Sequence, residues 1–354
     1  MNVDGTHRWK AKGRVEFLER VFRDGVPPVW CPPITHYDAQ GRIDAARIAA
    51  HLRHLSPDVG GVLIPGSTGD GWELDKRERR ELLEIGLQQA QQFNLQILIG
   101  TLHPDANETL GLITEDIEWL KSRFRERDPT AAMTKARVCG FTVCPPRGKE
   151  MMQDAIGRAL ASVLDLGVPT AIYQLPQVTL NEIGAELASE LARGYENFIF
   201  FKDTSGADAV VLSGKSLGGV FIARGAEGNY ARWLKPAGGP YDGFLLASAN
   251  CFARELQQLV REISGGRFDT AGQLSDRLSA AVVDTMKLVA CLADGNPFAN
   301  SNKAIDHFFA FGPEAEKKPP PRLHVGSSLP VELIGATGKI LKREGLMPDK
   351  GYLE

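Results

Sequence analysis

Eight short apolar runs, each separated from the next by a longer stretch, constrain this chain more than anything else in it. They are PVWCP (28–32), GGVLIPG (60–66), LQILIGT (95–101), VCGFTVCP (138–145), PTAIYQLP (169–176), FIFFKDT (198–204), GVFIARG (219–225) and YDGFLLAS (241–248). Runs that are apolar without alternation belong to strands buried on both faces. The stretches between them carry helical spacing: in 74–90, Leu74, Leu82, Leu83 and Leu87 form one stripe, and 108–124, 151–167 and 252–263 show the same pattern. Each strand is thus expected to be followed by its own helix. An open doubly wound sheet is the alternative, but eight units in strict βα alternation predict a closed parallel α/β barrel.

The expected organisation is an N-terminal extension over 1–25, the barrel over 26–266 and a C-terminal helical region over 267–354. In the extension, Val15, Leu18, Val21 and Phe22 fall on one side of a short helix that caps the closed end of the barrel or packs on a neighbour. The C-terminal region has helical patterning at 268–291 and 328–345. Between them, GPEAEKKPPPRLH (312–324) cannot be helical and reads as an exposed connector.

Composition removes several classes of partner. A formal charge of -3 and a pI near 6.2 give no general attraction to nucleic acid or to anionic membranes. The five cysteines (Cys31, Cys139, Cys144, Cys251, Cys291) are scattered and never spaced CxxC, so they read as reduced thiols rather than as a disulfide framework or a zinc site. The first residues contain no apolar targeting core, and no run approaches the roughly 18 residues of a membrane span. A cytoplasmic location is expected.

In such a barrel, chemistry gathers where strands end and βα loops begin. Lys202 closes an otherwise apolar run behind Phe198, Ile199, Phe200 and Phe201. Desolvation disfavours an ammonium ion and so favours the neutral amine that attacks a carbonyl to form a Schiff base. The plainer alternative is an ion pair with Asp203 or Glu227 that only holds strand ends together. Gly66-Ser67-Thr68-Gly69 offers two hydroxyls and closely spaced backbone N–H groups able to hold a carboxylate, although the same residues make ordinary turns and helix caps. Tyr173 lies in an apolar strand, either as a proton relay or as a half-buried core tyrosine. His103, after the third run, reads as a loop residue. Glu227, after the seventh, could orient a substrate hydroxyl.

Taken together, these residues resemble the dihydrodipicolinate synthase / N-acetylneuraminate lyase family of Schiff-base aldolases and dehydratases, over about residues 28–310. GVLIPGSTGDGWELDKRER is similar to the family's Gly-Thr-Thr-Gly-Glu stretch, with Gly66, Ser67 and Thr68 at the substrate loop. AIYQLP is similar to the strand with the proton-relay tyrosine, and FIFFKDTSG to the strand with the imine-forming lysine. The resemblance thus implies Tyr173 and Lys202 as catalytic residues, with Gly225 and Leu245 beside the bound keto acid. It also implies a (β/α)8 TIM barrel with a C-terminal helical extension, a homotetramer or dimer, and no metal or organic cofactor.

Two departures separate the chain from the lysine-biosynthetic enzymes of that family. Where they carry a second tyrosine after the fourth strand, CPPRGK offers Arg147. Where an arginine follows the strand-five tyrosine to hold the second substrate's carboxylate, Val178 stands. Lysine biosynthesis is therefore not expected, and Arg147 becomes a candidate for a second anionic or hydroxyl group of the substrate, or else solvates a loop. The expected function is a lyase acting on pyruvate or a keto-deoxy sugar acid. A catalytically silent keto-acid-binding protein or sensor of the same fold stands beside it. A metal-dependent barrel aldolase would need more strand-end ligands than His103 and Glu227.

Overall fold

The computed structural model describes residues 13–354, so residues 1–12 of the expected extension lie outside the described residues. The strands are β1 (Val29–Cys31), β2 (Gly61–Ile64), β3 (Gln96–Gly100), β4 (Val138–Val143), β5 (Thr170–Gln174), β6 (Phe198–Asp203), β7 (Phe221–Arg224) and β8 (Gly243–Leu245). They follow one another around a closed barrel in the order β1 to β8, and every strand falls inside one of the eight apolar runs. The chain divides into two compact units. One holds the described residues up to Val26 with Thr101–Ala223, and the other holds Pro27–Gly100 with Arg224–Glu354.

In the first unit, β4 to β6 are buried along their whole length. Phe198, Ile199, Phe200 and Phe201 are all fully buried, and each contributes about 1.5–3 kcal/mol by leaving water. β5 and β6 are not in simple register. Thr170 pairs with Phe198 but Ala171 pairs with Phe200, so one residue of β6 is skipped before Tyr173 comes to pair with Lys202. An unshifted ladder would have set Tyr173 against Phe201. Because successive side chains alternate faces, that single bulge decides whether Tyr173 and Lys202 share a face.

The helix Arg14–Val21 forms as expected, but its buried face is different. Val15 is 66% exposed, whereas Arg14, Phe17 and Phe22 are buried. Arg14 decides the orientation: its guanidinium donates to the carbonyls of Ala192, Tyr195, Phe198, Leu217 and Gly218. One side chain thereby satisfies backbone acceptors at the start of β6 and on the two segments around it.

In the second unit, β1 pairs in parallel with both β2 and β8. Trp30 fills the space above Gly61, where any Cβ would overlap its ring. The helices Lys76–Phe93 and Ala249–Ser264 cover this side as the spacing predicted, and Leu82, Leu83 and Leu87 are buried. Leu74 lies before the first of these helices, which starts at Lys76 behind an Asp75/Glu78 capping box.

The expectation of one helix per strand fails after β6 and β7. A single turn, Ala209–Leu212, follows β6, and the 3-10 turns Tyr230–Arg232 and Lys235–Ala237 follow β7. The C-terminal region forms helices at Phe268–Val289 and Val331–Arg343, within the predicted spans. The connector contains a 3-10 helix, Gly312–Lys317, and buries Gly312, Ala315 and Leu323, so it is neither wholly irregular nor wholly exposed.

A further helix, Pro297–Phe311, was not anticipated. All residues from Ala299 to Ala310 are buried, and a helix covered on every side has no one-sided stripe for periodicity to detect. Its start was nevertheless written in the sequence. Asn296 caps the N–H groups of Phe298 and Ala299, and Pro297 occupies the first turn.

Candidate active site

The site residues fall into two groups, one in each unit. In the first unit, Lys202 is 3% exposed at the penultimate position of β6. Its Nζ lies 3.9 Å from the centroid of the Tyr173 ring on β5. The phenol is 2% exposed; burial, and then neighbouring Cys144, push it well above the ordinary range, so it is protonated at neutral pH. Cys144 follows β4, and burial pushes its thiol up although the Lys202 charge pulls it down. Amine, phenol and thiol thus converge where three neighbouring strands end.

The carboxylates proposed as structural partners of Lys202 have other roles. Asp203 is the next residue along β6 and so projects to the opposite face. Its Oδ1 accepts from the Ser205 N–H, and burial raises its carboxyl pKa. Glu227 accepts from the Ser248 N–H at 2.9 Å, the Ser248 hydroxyl at 2.7 Å and the Tyr230 hydroxyl at 2.8 Å. The two Ser248 donors tie the loop after β7 to the segment just beyond β8, and Tyr230 braces that loop from within.

Arg147 is exposed on the loop after β4. That loop is fastened to the one after β5: the Gly148 N–H donates to the Thr179 carbonyl, and the Asn181 amide donates to the carbonyls of Pro146 and Gly148. Val178 sits in the single turn Pro176–Thr179 that begins just beyond β5. His103 is half-exposed, with its Nδ1 accepting from the Asp105 N–H.

In the second unit, Gly66, Ser67 and Thr68 follow β2 in a buried turn, with Ser67 to Gly69 forming a 3-10 helix. Ser67 is 6% and Thr68 4% exposed. The turn is closed from behind. Thr35 donates its hydroxyl to the Gly69 carbonyl at 2.7 Å, and a Cβ at Gly69 would strike the Pro33 carbonyl oxygen. Asp70, with left-handed φ of 59°, accepts from the Tyr37 hydroxyl and from the Lys303 ammonium, both at 3.0 Å. Asn296 donates to the Ser67 carbonyl at 3.0 Å. Gly225, after β7, and Leu245, the last residue of β8, are buried.

Sequence reasoning thus missed Tyr37, Asn296 and Lys303, all of which hold the turn. Only Asn296, before Pro297, carried a local signal, as a helix start. One group in this unit has the residue types of a metal site: His36, His51 and Asp306 bring ligand atoms within 4.8 Å of one another. Their atoms already bind one another and their neighbours. His36 Nε2 meets His51 Nδ1 at 3.2 Å, His51 Nε2 meets the Asn250 carbonyl at 2.8 Å, and Asp306 accepts from Arg47 at 2.9 Å. A guanidinium on the only carboxylate of the set is a poor neighbour for a dication.

No family model matches the chain. Among curated proteins, it is 22% identical over 259 residues to the 4-hydroxy-tetrahydrodipicolinate synthase of Methanospirillum hungatei, covering 72% of this chain and 81% of that one. A DapA-like lyase of Rhizobium meliloti, itself uncharacterized, is 23% identical over 171 residues, which is 48% of this chain and 51% of that protein. The chain therefore spans only about half the length of that relative. Among solved structures, the E. coli prophage protein YagE, of the dihydrodipicolinic acid synthase family and in complex with pyruvate, superposes with a TM-score of 0.70 at 20% identity, covering 90% of this chain and 99% of that one. A Sulfolobus 2-keto-3-deoxygluconate aldolase gives 0.68 at 17% identity, covering 90% and 96%. These structures share the barrel and its C-terminal helices. In sequence and in fold, the chain resembles the dihydrodipicolinate synthase family.

Proposed function

We propose that the chain is a class I lyase that binds pyruvate or a keto-deoxy sugar acid as an imine on Lys202. The observation that carries the reading is the pairing of Lys202 with Tyr173, which sets a buried amine against a phenol that remains protonated at neutral pH. The neutral amine adds to the keto carbon, and loss of water then gives a protonated imine. That imine accepts the electron pair released when the bond beyond the neighbouring carbon breaks, or supplies an enamine when it forms. Tyr173 relays protons between the imine centre and the substrate. Ser67 and Thr68, with the backbone N–H groups after Gly66, take the carboxylate, and Gly225 and Leu245 line the remainder. The names of the curated relatives and of the solved aldolase support this reaction class.

Val178 and the exposed Arg147 favour a sugar acid over the second substrate of lysine biosynthesis, with Arg147 meeting its distal hydroxyls or anionic group. A homotetramer or dimer in the cytoplasm fits this reading. No helix among the described residues is long and apolar enough to cross a membrane.

Reduction of a pyruvate-treated sample with borohydride tests the mechanism. One reduced adduct on Lys202, read by mass spectrometry, is expected, and a panel of keto sugar acids then identifies the substrate by turnover. If no 2-keto acid gives an adduct, or if it forms on another lysine, the mechanism is wrong. An adduct without turnover of any sugar acid favours a silent keto-acid sensor.

A further inference from the structure

The turn after β2 is held by a helix that begins more than two hundred residues later. Lys303, with a side chain only 1% exposed, places its ammonium 3.0 Å from Asp70 and 4.8 Å from the centroid of the Tyr37 ring. Tyr37 donates to the same Asp70 oxygen. A buried ammonium needs this compensation, and the compensated pair fixes one end of the turn.

Asn296 fixes the other end. Its Oδ1 caps the helix, which leaves its amide N–H groups to donate to Ser67, at 3.0 Å to the carbonyl and 3.4 Å to the hydroxyl. A serine hydroxyl that accepts from Asn296 keeps its own proton free to donate elsewhere. That is the polarity a carboxylate requires.

We propose that Asn296 and Lys303 are positioning residues that set the Gly66–Asp70 turn for the substrate carboxylate. The proposal rests on the imine reading above and extends the machinery to the buried helix Pro297–Phe311. Neither residue touches substrate; each acts through the turn.

The test follows borohydride trapping at Lys202 as pyruvate is titrated, with acetone as a carbonyl compound that lacks the carboxylate. Asn296→Ser keeps a helix cap but cannot reach Ser67. The paired change Asp70→Asn with Lys303→Met removes both charges at once, so that neither is left buried alone. Both variants should need about fivefold more pyruvate for half-maximal trapping, equivalent to one hydrogen bond of about 1 kcal/mol. The plateau of adduct, and the acetone dependence, should not change. Unchanged half-saturation for pyruvate in folded variants overturns the proposal. An equal rise for pyruvate and acetone overturns it too, because it shows general distortion rather than lost carboxylate binding. Absence of any adduct in the wild type sinks the imine reading first and this proposal with it.

Discussion

Acidification from about pH 7.5 to about 5.5 should remove roughly 1.4 kcal/mol of stability for each histidine that stays neutral inside the fold. His36 is the clearest case. It is 7% exposed, and burial, then Arg47, hold its pKa well below the ordinary value, with His51 and Lys303 adding to the effect and Asp306 opposing it. His51, 1% exposed, is lowered by burial and Arg47 against the pull of Asp306 and of its hydrogen bond to Asn250. The sign follows from proton counting. Below about 6.5 the unfolded chain takes up protons at these imidazoles ahead of the folded chain, so stability rises with pH through this window and is lost on acidification. Asp306 contributes nothing there. Burial would raise its carboxyl, but His51, Arg47 and His36 draw it below the usual carboxylate range, so it is ionised throughout. Buried carboxyls such as Glu227 and Asp203, with raised pKa values, act with the opposite sign. The informative quantity is therefore a difference. Urea unfolding of the wild type and of His36→Gln should show the variant less stable at the higher pH but losing about 1.4 kcal/mol less on acidification. Parallel pH dependences for the two proteins would refute the claim that His36 is neutral in the fold.

Three other perturbations probe separate parts of the molecule. Tyr173→Phe should preserve imine trapping on Lys202 while turnover of the true substrate falls by about 100-fold or more, since a proton relay contributes that much; turnover within a few-fold of wild type removes Tyr173 from the mechanism. Arg14→Met should lower unfolding stability by about 3 kcal/mol, because five buried or half-buried carbonyls lose their donor, and a loss under about 1 kcal/mol in urea denaturation contradicts that role. A thiol reagent should label Cys291 quickly and Cys31, Cys139, Cys144 and Cys251 only after denaturation, because four thiols are buried and one is exposed; a second fast thiol in the native protein contradicts the packing.

Much of the candidate site was legible because local periodicity and position carried it. Lys202 was conspicuous because a cation after four buried apolar residues needs a chemical or electrostatic reason, and Ser67 and Thr68 because hydroxyls follow a strand. The helix Arg14–Val21 shows the limit of such patterns. Counting apolar residues grouped Val15 with Phe22 and passed over Arg14, whereas backbone carbonyls around the start of β6 draw Arg14 into the fold and leave Val15 exposed. Likewise Glu227 looked available until Tyr230 and Ser248 were seen to take its oxygens.

The sequence by itself determined that eight buried strands alternate with connecting segments and that Lys202 stands near the end of the sixth, since strand burial and helical stripes are written in spacings of a few residues. The tertiary structure alone decided that a one-residue bulge sets Lys202 level with Tyr173, and that Lys303 reaches Asp70 across 233 positions of chain. Neither has a local signature. A bulge changes register without changing composition, and a lysine buried against a distant carboxylate sits in a helix whose surroundings, rather than whose own pattern, make it buried.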